Sequence, residues 1–225
     1  CAQEHLNGEL RSCTLGSMTD PELRFLNHAC ISVAHGSEVL LCDPWFSGRV
    51  FNEAWGLLEE TDLDAVGASM QSLVVGRFCC CQEAGRRMLA AGKGSIINIV
   101  SIAGLTALGR GHTPYSMAMG GVAQMTRELS TEWASRGIRV NSIVLAQVLN
   151  PMLQERIEAD PRMEEQWLRG IAMGRLGEPD DVKGVAIFLA SDAARWVTGV
   201  LLPMDGGNLA MNAGASYPGG PGITG

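Results

Sequence analysis

Residues 95–101 read Ser-Ile-Ile-Asn-Ile-Val-Ser, and this short stretch decides the fold class. The run is almost continuously apolar and rich in β-branched residues, as expected for a strand that is buried on both faces of a parallel sheet. A helix predicted over 69–91 precedes it and ends at Gly92 and Gly94, and a Gly-rich loop follows it. The stretch therefore predicts a central strand between two helices.

The same alternation continues to residue 204. The pattern predicts, in order, a helix over 114–135, a strand over 138–145, a helical stretch over 151–171, a helix over 179–190 and a strand over 197–204. Strands that alternate with helices indicate an α/β fold with a doubly wound parallel sheet.

The chain changes character near residue 65. Before that point, strand-like segments over 24–33 and 38–43 flank a turn at His35-Gly36-Ser37, which predicts a β-hairpin. The domain organisation predicted is a hairpin-containing segment over 1–65, an α/β domain over 66–210 that is incomplete as a doubly wound unit, and a flexible Gly- and Pro-rich tail over 211–225.

Composition narrows the function classes. The 225 residues are 46% hydrophobic and carry a net charge of −7, which excludes a wholly disordered chain and argues against a nucleic-acid partner. No apolar run approaches the ~18–20 residues of a membrane span, and the first residues predict no signal peptide, because they lack a basic start followed by an apolar stretch. Seven cysteines, three of them consecutive at 79–81, predict reduced thiols and a cytoplasmic protein. The start without Met predicts a fragment or a processed product.

Two hydroxyls are the candidate chemical groups. Ser101 follows the buried strand, at the edge of the sheet where open α/β proteins bind ligands, and Tyr115 lies in the first turn of the next helix. A phenol can act as a general acid or base, and a serine hydroxyl can hold a developing oxyanion. A Ser at a strand end and a Tyr at a helix start also serve purely structural roles, so both readings stay open on these residues alone.

The surrounding motifs resemble the short-chain dehydrogenase/reductase family. Residues 95–101 look like its serine strand, and Tyr115-Ser-Met-Ala-Met119 looks like its Tyr-x-x-x-Lys helix. The stretches from Gly137 to Asn141 and from Gly174 to Gly207 look like its later strands and C-terminal signature. The resemblance covers about residues 66–210 and implies a Rossmann-like fold, NAD or NADP as cofactor, and hydride transfer to or from a small-molecule carbonyl or alcohol.

The resemblance also implies roles for particular residues. Tyr115 would be the acid/base and Ser101 would orient the substrate oxygen, while Tyr115, Val148 and Asn150 would contact the cofactor. Residues 151–171 would close over the substrate. Helices 69–91 and 114–135 would pair across subunits, so a homo-oligomer is expected.

Four departures fall on functional positions of the family. Met119 stands where the family has the Lys that lowers the tyrosine pKa, and Leu73 stands where it has the Asn of the proton relay. Leu145-Ala146 replaces the usual Pro-Gly, and residues 1–70 contain no Thr-Gly-x-x-x-Gly-x-Gly motif for the cofactor pyrophosphate. These departures predict an impaired oxidoreductase; the alternative is a non-catalytic, oligomerising module or a chimeric fragment unable to bind dinucleotide.

Residues 24–65 resemble the opening strands of a metallo-β-lactamase-fold hydrolase, through Phe25 to Ile31 and Leu40 to Gly48. None of the four His residues has the His-x-His-x-Asp-His spacing of that family's metal site, so we predict no metal and a structural role for His28. A junction near residue 65, either a natural fusion or an assembly artefact, is expected. A hydrolase fragment is the distant alternative function.

Overall fold

The computed structural model describes residues 22–27, 30–35, 37–42 and 63–211. Their strands form one sheet in the order β1-β2-β3-β4-β5-β6. The strands are β1 (Glu22–Asn27), β2 (Cys30–His35), β3 (Ser37–Cys42), β4 (Gly94–Ser101), β5 (Ile138–Leu145) and β6 (Leu201–Met204). Strands β3 to β6 are mutually parallel, whereas β1, β2 and β3 are antiparallel neighbours. The parallel α/β sheet predicted from the sequence is confirmed.

The N-terminal hairpin has one strand more than the sequence predicts. The segment predicted as one strand over 24–33 forms two antiparallel strands, β1 and β2, and the pairing register shifts between Phe25 and Asn27. Asn is a turn-forming residue, which explains why the strand ends there. Val39 to Cys42 of β3 then pair in parallel with Ser95 to Asn98 of β4, so these strands extend the same sheet.

Helices connect the parallel strands. They are α1 (Leu63–Ser69), α2 (Gly76–Ala91), α3 (Thr113–Trp133), α4 (Pro151–Ala159), α5 (Arg162–Leu168) and α6 (Pro179–Ala190), with a π-helical turn over Met70–Val75 that joins α1 to α2. The boundary predicted at residue 65 falls within α1. Every helix within the described residues is too short or too polar to cross a membrane.

The two faces of the sheet are covered by different helices. Ile97 and Ile143 pack with Val182, Ala186 and Leu189 of α6 on one face. The neighbouring residues of β4, Ile96 and Val100, pack on the other face against α2 and α3. Alternate residues of one strand point to opposite faces, so both must be apolar in a strand covered on both sides. This arrangement is the doubly wound architecture that the sequence predicts.

The last strand is shorter than predicted, and side chains of β5 and of the preceding segment take part in the pairing before it starts. Asn141 of β5 donates from Nδ2 to the Val197 carbonyl at 3.0 Å and accepts from the Val200 amide at 3.1 Å. Thr198 Oγ1 accepts from the Val140 amide at 3.0 Å, and Gly199 has a φ of +75°. Two backbone bonds, from Gly199 N to the Val140 carbonyl and from Ser142 N to the Val200 carbonyl, both 2.8 Å, complete this mixed pairing, and β6 begins only at Leu201.

Candidate active site

The parallel strands end together, at the edge of the sheet where Ser101 lies. Ser101 is paired with Leu145, and Leu145 is paired with Met204, so these three strand ends are in line. The half-buried Ser101 caps the 3-10 turn Ile102–Gly104 through its Oγ, which accepts from the Ala103 amide at 3.1 Å. The structure thus places this hydroxyl at the carboxyl edge, as predicted.

Gly104 lets the turn after Ser101 approach the backbone of α3. A Cβ atom at Gly104 would lie 2.7 Å from the carbonyl carbon of Met119 and 2.9 Å from the amide nitrogen of Gly120. Real Cβ atoms essentially never come that close, so only glycine permits this packing. The importance of Gly104 has no local signal in the sequence, because the contact joins residues that are distant in the chain.

Tyr115 lies in the first turn of α3, one helical turn before Met119. It is half-buried and packs against an apolar cluster that also contains Ile102 of the turn after Ser101. The ring of His112 meets the Tyr115 ring nearly edge-on, with centroids 5.8 Å apart and an interplanar angle of 73°. Both predicted hydroxyl-bearing residues are therefore carried by segments that pack together.

Met119 and Leu73 are buried in that same cluster. Met119 is 2% exposed and Leu73 is 6% exposed, although they come from α3 and from the π-helical turn. The buried members of the cluster are Leu73, Val100, Ile102, Ala118, Met119, Val122, Ala123 and Val144. The two positions where the family has polar relay groups are therefore filled by apolar side chains in contact with one core.

Val148 and Asn150 follow β5 and have structural partners. Val148 forms an isolated parallel bridge with Gly177. The Oδ1 of Asn150 accepts from the Leu153 amide at 2.9 Å and so caps α4, while its Nδ2 donates to the Val148 carbonyl at 3.3 Å. The side chain of Asn150, a residue that the resemblance places against the cofactor, is thus engaged in helix capping.

At position 119 the chain lacks the polar group that the resemblance implies for the reacting end of a nicotinamide dinucleotide. A lysine ammonium is expected to bind the nicotinamide ribose, and the buried thioether of Met119 has no donor for that purpose. The Oδ1 of Asn150, which caps α4, and its Nδ2, which donates to the Val148 carbonyl, each keep the capacity for one further hydrogen bond. The chain keeps a serine at position 101 and a tyrosine at position 115, the two hydroxyl-bearing residues that the resemblance implies.

A second feature at this edge was not predicted from the sequence. A cleft of about 340 Å³ lies where β5 and β6 end, on the side of α6. The Oε1 atom of Gln147 in its wall is buried and has no hydrogen-bond partner. The remaining residues of the wall are Ala146, Val148, Ile171, Met173, Arg175, Gly177, Asp181, Val182, Pro203, Met204, Asp205, Gly206 and Gly207. Within the ranges that the structure describes, no three His, Cys, Asp or Glu side chains form a group able to hold a metal ion.

Comparison with known proteins identifies relatives of this chain. Residues 50–208 match the family described as enoyl-(acyl carrier protein) reductase. Galactitol 2-dehydrogenase (L-tagatose-forming) of Cereibacter sphaeroides is 41% identical over 151 residues, which cover 66% of this chain and 58% of that protein. The inactive 2-(S)-hydroxypropyl-CoM dehydrogenase 2 of Xanthobacter autotrophicus is 33% identical, over 70% of this chain and 69% of that protein.

A solved structure shares the fold as well. Gluconate 5-dehydrogenase from Burkholderia cenocepacia, in complex with NADP and tartrate, superposes with a TM-score of 0.70 at 28% identity, covering 79% of this chain and 67% of that one. The region matched by this chain covers 58% of the length of the galactitol 2-dehydrogenase. The ordered motifs, the parallel sheet and these matches agree, and the chain belongs to the short-chain dehydrogenase/reductase family.

Proposed function

We propose that this chain is an oxidoreductase of the short-chain dehydrogenase/reductase family. It would transfer a hydride between a nicotinamide dinucleotide and a small carbonyl or alcohol compound, and this transfer would be impaired. Ser101 would hold the substrate oxygen and Tyr115 would supply or take its proton. Two of the relatives, a galactitol 2-dehydrogenase and a gluconate 5-dehydrogenase, are named for a polyol and a sugar acid, which supports that class of substrate. Either NAD or NADP fits the proposal.

The proposed impairment is supported by the apolar side chains that pack with the Tyr115 phenol. Met119 replaces an ammonium one helical turn from Tyr115, and Leu73 replaces the amide that would hold a relay water. An ammonium near the phenol would favour its ionised form, and a buried thioether does not. Proton transfer, rather than substrate orientation, is the step that these residues weaken.

Cofactor titration is the first test. The protein is titrated with NADH and with NADPH, while its melting temperature and the cofactor fluorescence are followed. Weak binding of at least one of the two is expected, because the pyrophosphate motif is missing from residues 1–70. The absence of any response at millimolar concentrations of both would overturn the oxidoreductase proposal.

Restoring the charge is the second test. In a preparation that binds cofactor, Met119→Lys is expected to raise turnover at least about tenfold, since a well-placed acid/base system typically contributes far more than that. Met117→Lys is the matched control, because Met117 lies on the same helix but is 52% exposed. Equal turnover of the Met119 variant and the parent would mean that the assignment of Tyr115 as the acid/base is wrong.

One observation favours a second candidate, a non-catalytic module that assembles with copies of itself. Val75 and Phe78 lie three residues apart and are 40% and 43% exposed, so they form an apolar strip at the start of α2. One relative, at 33% identity, is itself named an inactive dehydrogenase. The helices predicted to pair across subunits include this strip.

Sedimentation distinguishes the module from a monomer. Phe78→Lys is expected to shift the protein to a smaller species, whereas Phe188→Lys, at a comparably exposed Phe on α6, is expected to leave the assembly unchanged. A parent chain that sediments as a monomer would contradict this second candidate.

The hydrolase resemblance of residues 24–65 stays a prediction from the sequence. Residues 28–29 and 43–62, which include His28 and the stretch from Asp43 to Gly48, lie outside the described residues. Zinc analysis of the purified full chain tests it, and stoichiometric zinc would revive that function.

A further inference from the structure

The cleft at the ends of β5 and β6 is a cavity that the proposed chemistry does not use. Its volume of about 340 Å³ is at the lower end of the range found for small-molecule sites in proteins. Backbone hydrogen bonds hold its sides. The Gly177 amide donates to the Gln147 carbonyl at 2.9 Å, and the Met173 amide donates to the Gly206 carbonyl at 2.9 Å. The shape of the cleft is therefore fixed by main-chain contacts.

The cleft and Tyr115 lie toward opposite faces of the sheet. Val182 of α6 is in the wall, and α6 covers the face on which Ile97 and Ile143 pack. Tyr115 packs with the cluster on the other face, and Ala146 is the wall residue that also contacts that cluster. A ligand in the cleft would therefore not depend on the phenol or on the proposed hydride transfer.

One charge in the wall has no ionic partner. Arg175 donates to both carboxylate oxygens of Asp181, at 2.7 and 2.8 Å, and this pairing holds the pKa of the Asp181 carboxyl well below its usual range. Asp205 accepts instead from two backbone amides, that of Gly207 at 2.9 Å and that of Leu209 at 2.7 Å, and it has no salt bridge within the described residues. One guanidinium and two carboxylates give the wall one excess negative charge.

The wall also holds an unused acceptor. The Oε1 of Gln147 is buried and has no hydrogen-bond partner among the residues that the structure describes. Leu145 of β5 pairs with Met204 of β6, and Asp205 follows that pair by one residue and Gln147 by two, so both side chains leave adjacent strands near the same level. The last torsion of a glutamine side chain is broad, so the amide can turn its oxygen toward a ligand.

These groups call for a ligand that donates hydrogen bonds and carries positive charge. A primary ammonium has three N–H donors and no acceptor, whereas an anionic head group would meet a like charge. Much of the remaining wall is apolar and includes Ile171, Met173 and Met204. We propose that the cleft binds a small primary amine with a short aliphatic chain, whose ammonium is held by Asp205 and Gln147 and whose chain lies along the apolar wall.

Three probes with one chain length and different head groups test this site. Pentylamine, 1-pentanol and pentanoate are titrated into the full chain, and the methionine methyl groups are followed by carbon-13 NMR. The signals of Met173 and Met204 are assigned with Met173→Leu and Met204→Leu. Pentylamine should shift both signals with a dissociation constant of about 1–10 mM, as expected for so small a ligand. Pentanol should bind about tenfold more weakly and pentanoate should not saturate, while the signal of Met88, buried under α2, should stay in place.

Two variants separate the contributions of the polar groups. Asp205→Asn removes the charge and keeps one acceptor oxygen for the turn, so it should weaken pentylamine binding about tenfold and change pentanol binding by less than about twofold. Gln147→Leu should weaken pentylamine binding by a smaller factor. Asp64→Asn, the same change at an exposed carboxylate of α1, is the matched control and should leave every affinity unchanged. If Asp205→Asn does not fold, the three probes and Gln147→Leu carry the test.

The site is refuted by any of three results. They are pentanoate binding as tight as that of pentylamine, equal pentylamine affinities in the parent and in Asp205→Asn, and no saturable shift of Met173 and Met204 up to about 50 mM pentylamine. Each would leave the oxidoreductase proposal untouched, because the titrations contain no cofactor. A protein that binds pentylamine but neither NADH nor NADPH would keep the amine site and lose only the oxidoreductase proposal.

Discussion

Replacing Gly104 by Ala tests whether the Ser101 turn depends on direct backbone packing against α3. The new Cβ would stand 2.7 Å from the Met119 carbonyl carbon, whereas an ordinary contact begins at 3.4 Å, so the turn or the helix has to move by about 0.7 Å. The obstacle is helix backbone rather than a flexible side chain, and overpacking of this kind typically costs 1–3 kcal/mol. Lower entropy of the unfolded chain returns ~0.4–1 kcal/mol at most. We expect a net loss of about 1–2 kcal/mol.

The matched control lies on the other side of the same contact. A Cβ at Gly120 would meet its nearest neighbour, the Gly104 carbonyl oxygen, at 3.7 Å, which is an ordinary contact. Gly120 lies in the interior of α3, where Ala is favoured over Gly by about 0.5–1 kcal/mol. Gly120→Ala should therefore stabilise the protein, so the two substitutions at one interface have opposite signs.

Urea unfolding of the full chain measures both effects. With a slope of about 2 kcal/mol per molar urea, Gly104→Ala should lower the midpoint by roughly 0.5–1 M, and Gly120→Ala should raise it by a few tenths. If Gly104→Ala leaves the midpoint where it is, or if Gly120→Ala costs as much as Gly104→Ala, then the turn does not pack on the helix in the way described.

Two more predictions concern the buried side of α2 and α3. Thr126→Val removes a hydroxyl that lies 2.9 Å from the Asn98 amide and 2.7 Å from the Ser142 hydroxyl, so two buried polar groups lose a partner. The loss should be about 2–4 kcal/mol in urea unfolding, while the same change at the exposed Thr131 should be nearly neutral; equal effects would contradict the network. Burial raises the pKa of the Cys81 thiol to about 12. Alkylating reagents at neutral pH should therefore spare it until the chain unfolds, while mass spectrometry finds the exposed cysteine two residues earlier modified; fast labelling of Cys81 in the folded protein would refute this.

The parts of the fold that the sequence predicts best are those fixed by local signals. Strand β5 has the bounds predicted, 138–145, because an unbroken apolar run lies between a left-handed Gly137 and the loop at 146. Helix α6 begins at Pro179 as predicted, since Pro at the first turn and the Glu178–Asp181 capping box fix its start. In both cases the residues that decide the boundary are neighbours in sequence.

The parts that the sequence does not predict depend on distant residues. The segment before β6 is one example, because the side chain of Asn141 in β5 bonds to Val197 and Val200. The division of the helical stretch 151–171 into α4 and α5 is different, since Pro161 at the break is a local signal that the prediction of one stretch did not use. At the site, the role of Gly104 requires knowledge of where α3 passes, and the contact of His112 with Tyr115 depends on how the loop enters the helix. The spacing of these residues along the chain predicts neither contact.

The two positions at which the resemblance implies a lysine and an asparagine share one packing environment. Positions 73 and 119 lie on different elements but in one apolar cluster, so a polar group at either position alone would be buried beside aliphatic side chains. An unsatisfied buried polar group costs about 1–3 kcal/mol, and an isolated buried ammonium costs more. Two apolar residues together avoid that cost, whereas one polar or charged substitution at position 73 or 119 would introduce it. The packing thus favours apolar side chains at both positions, and under the proposed function these are the two positions where proton transfer would call for polar groups.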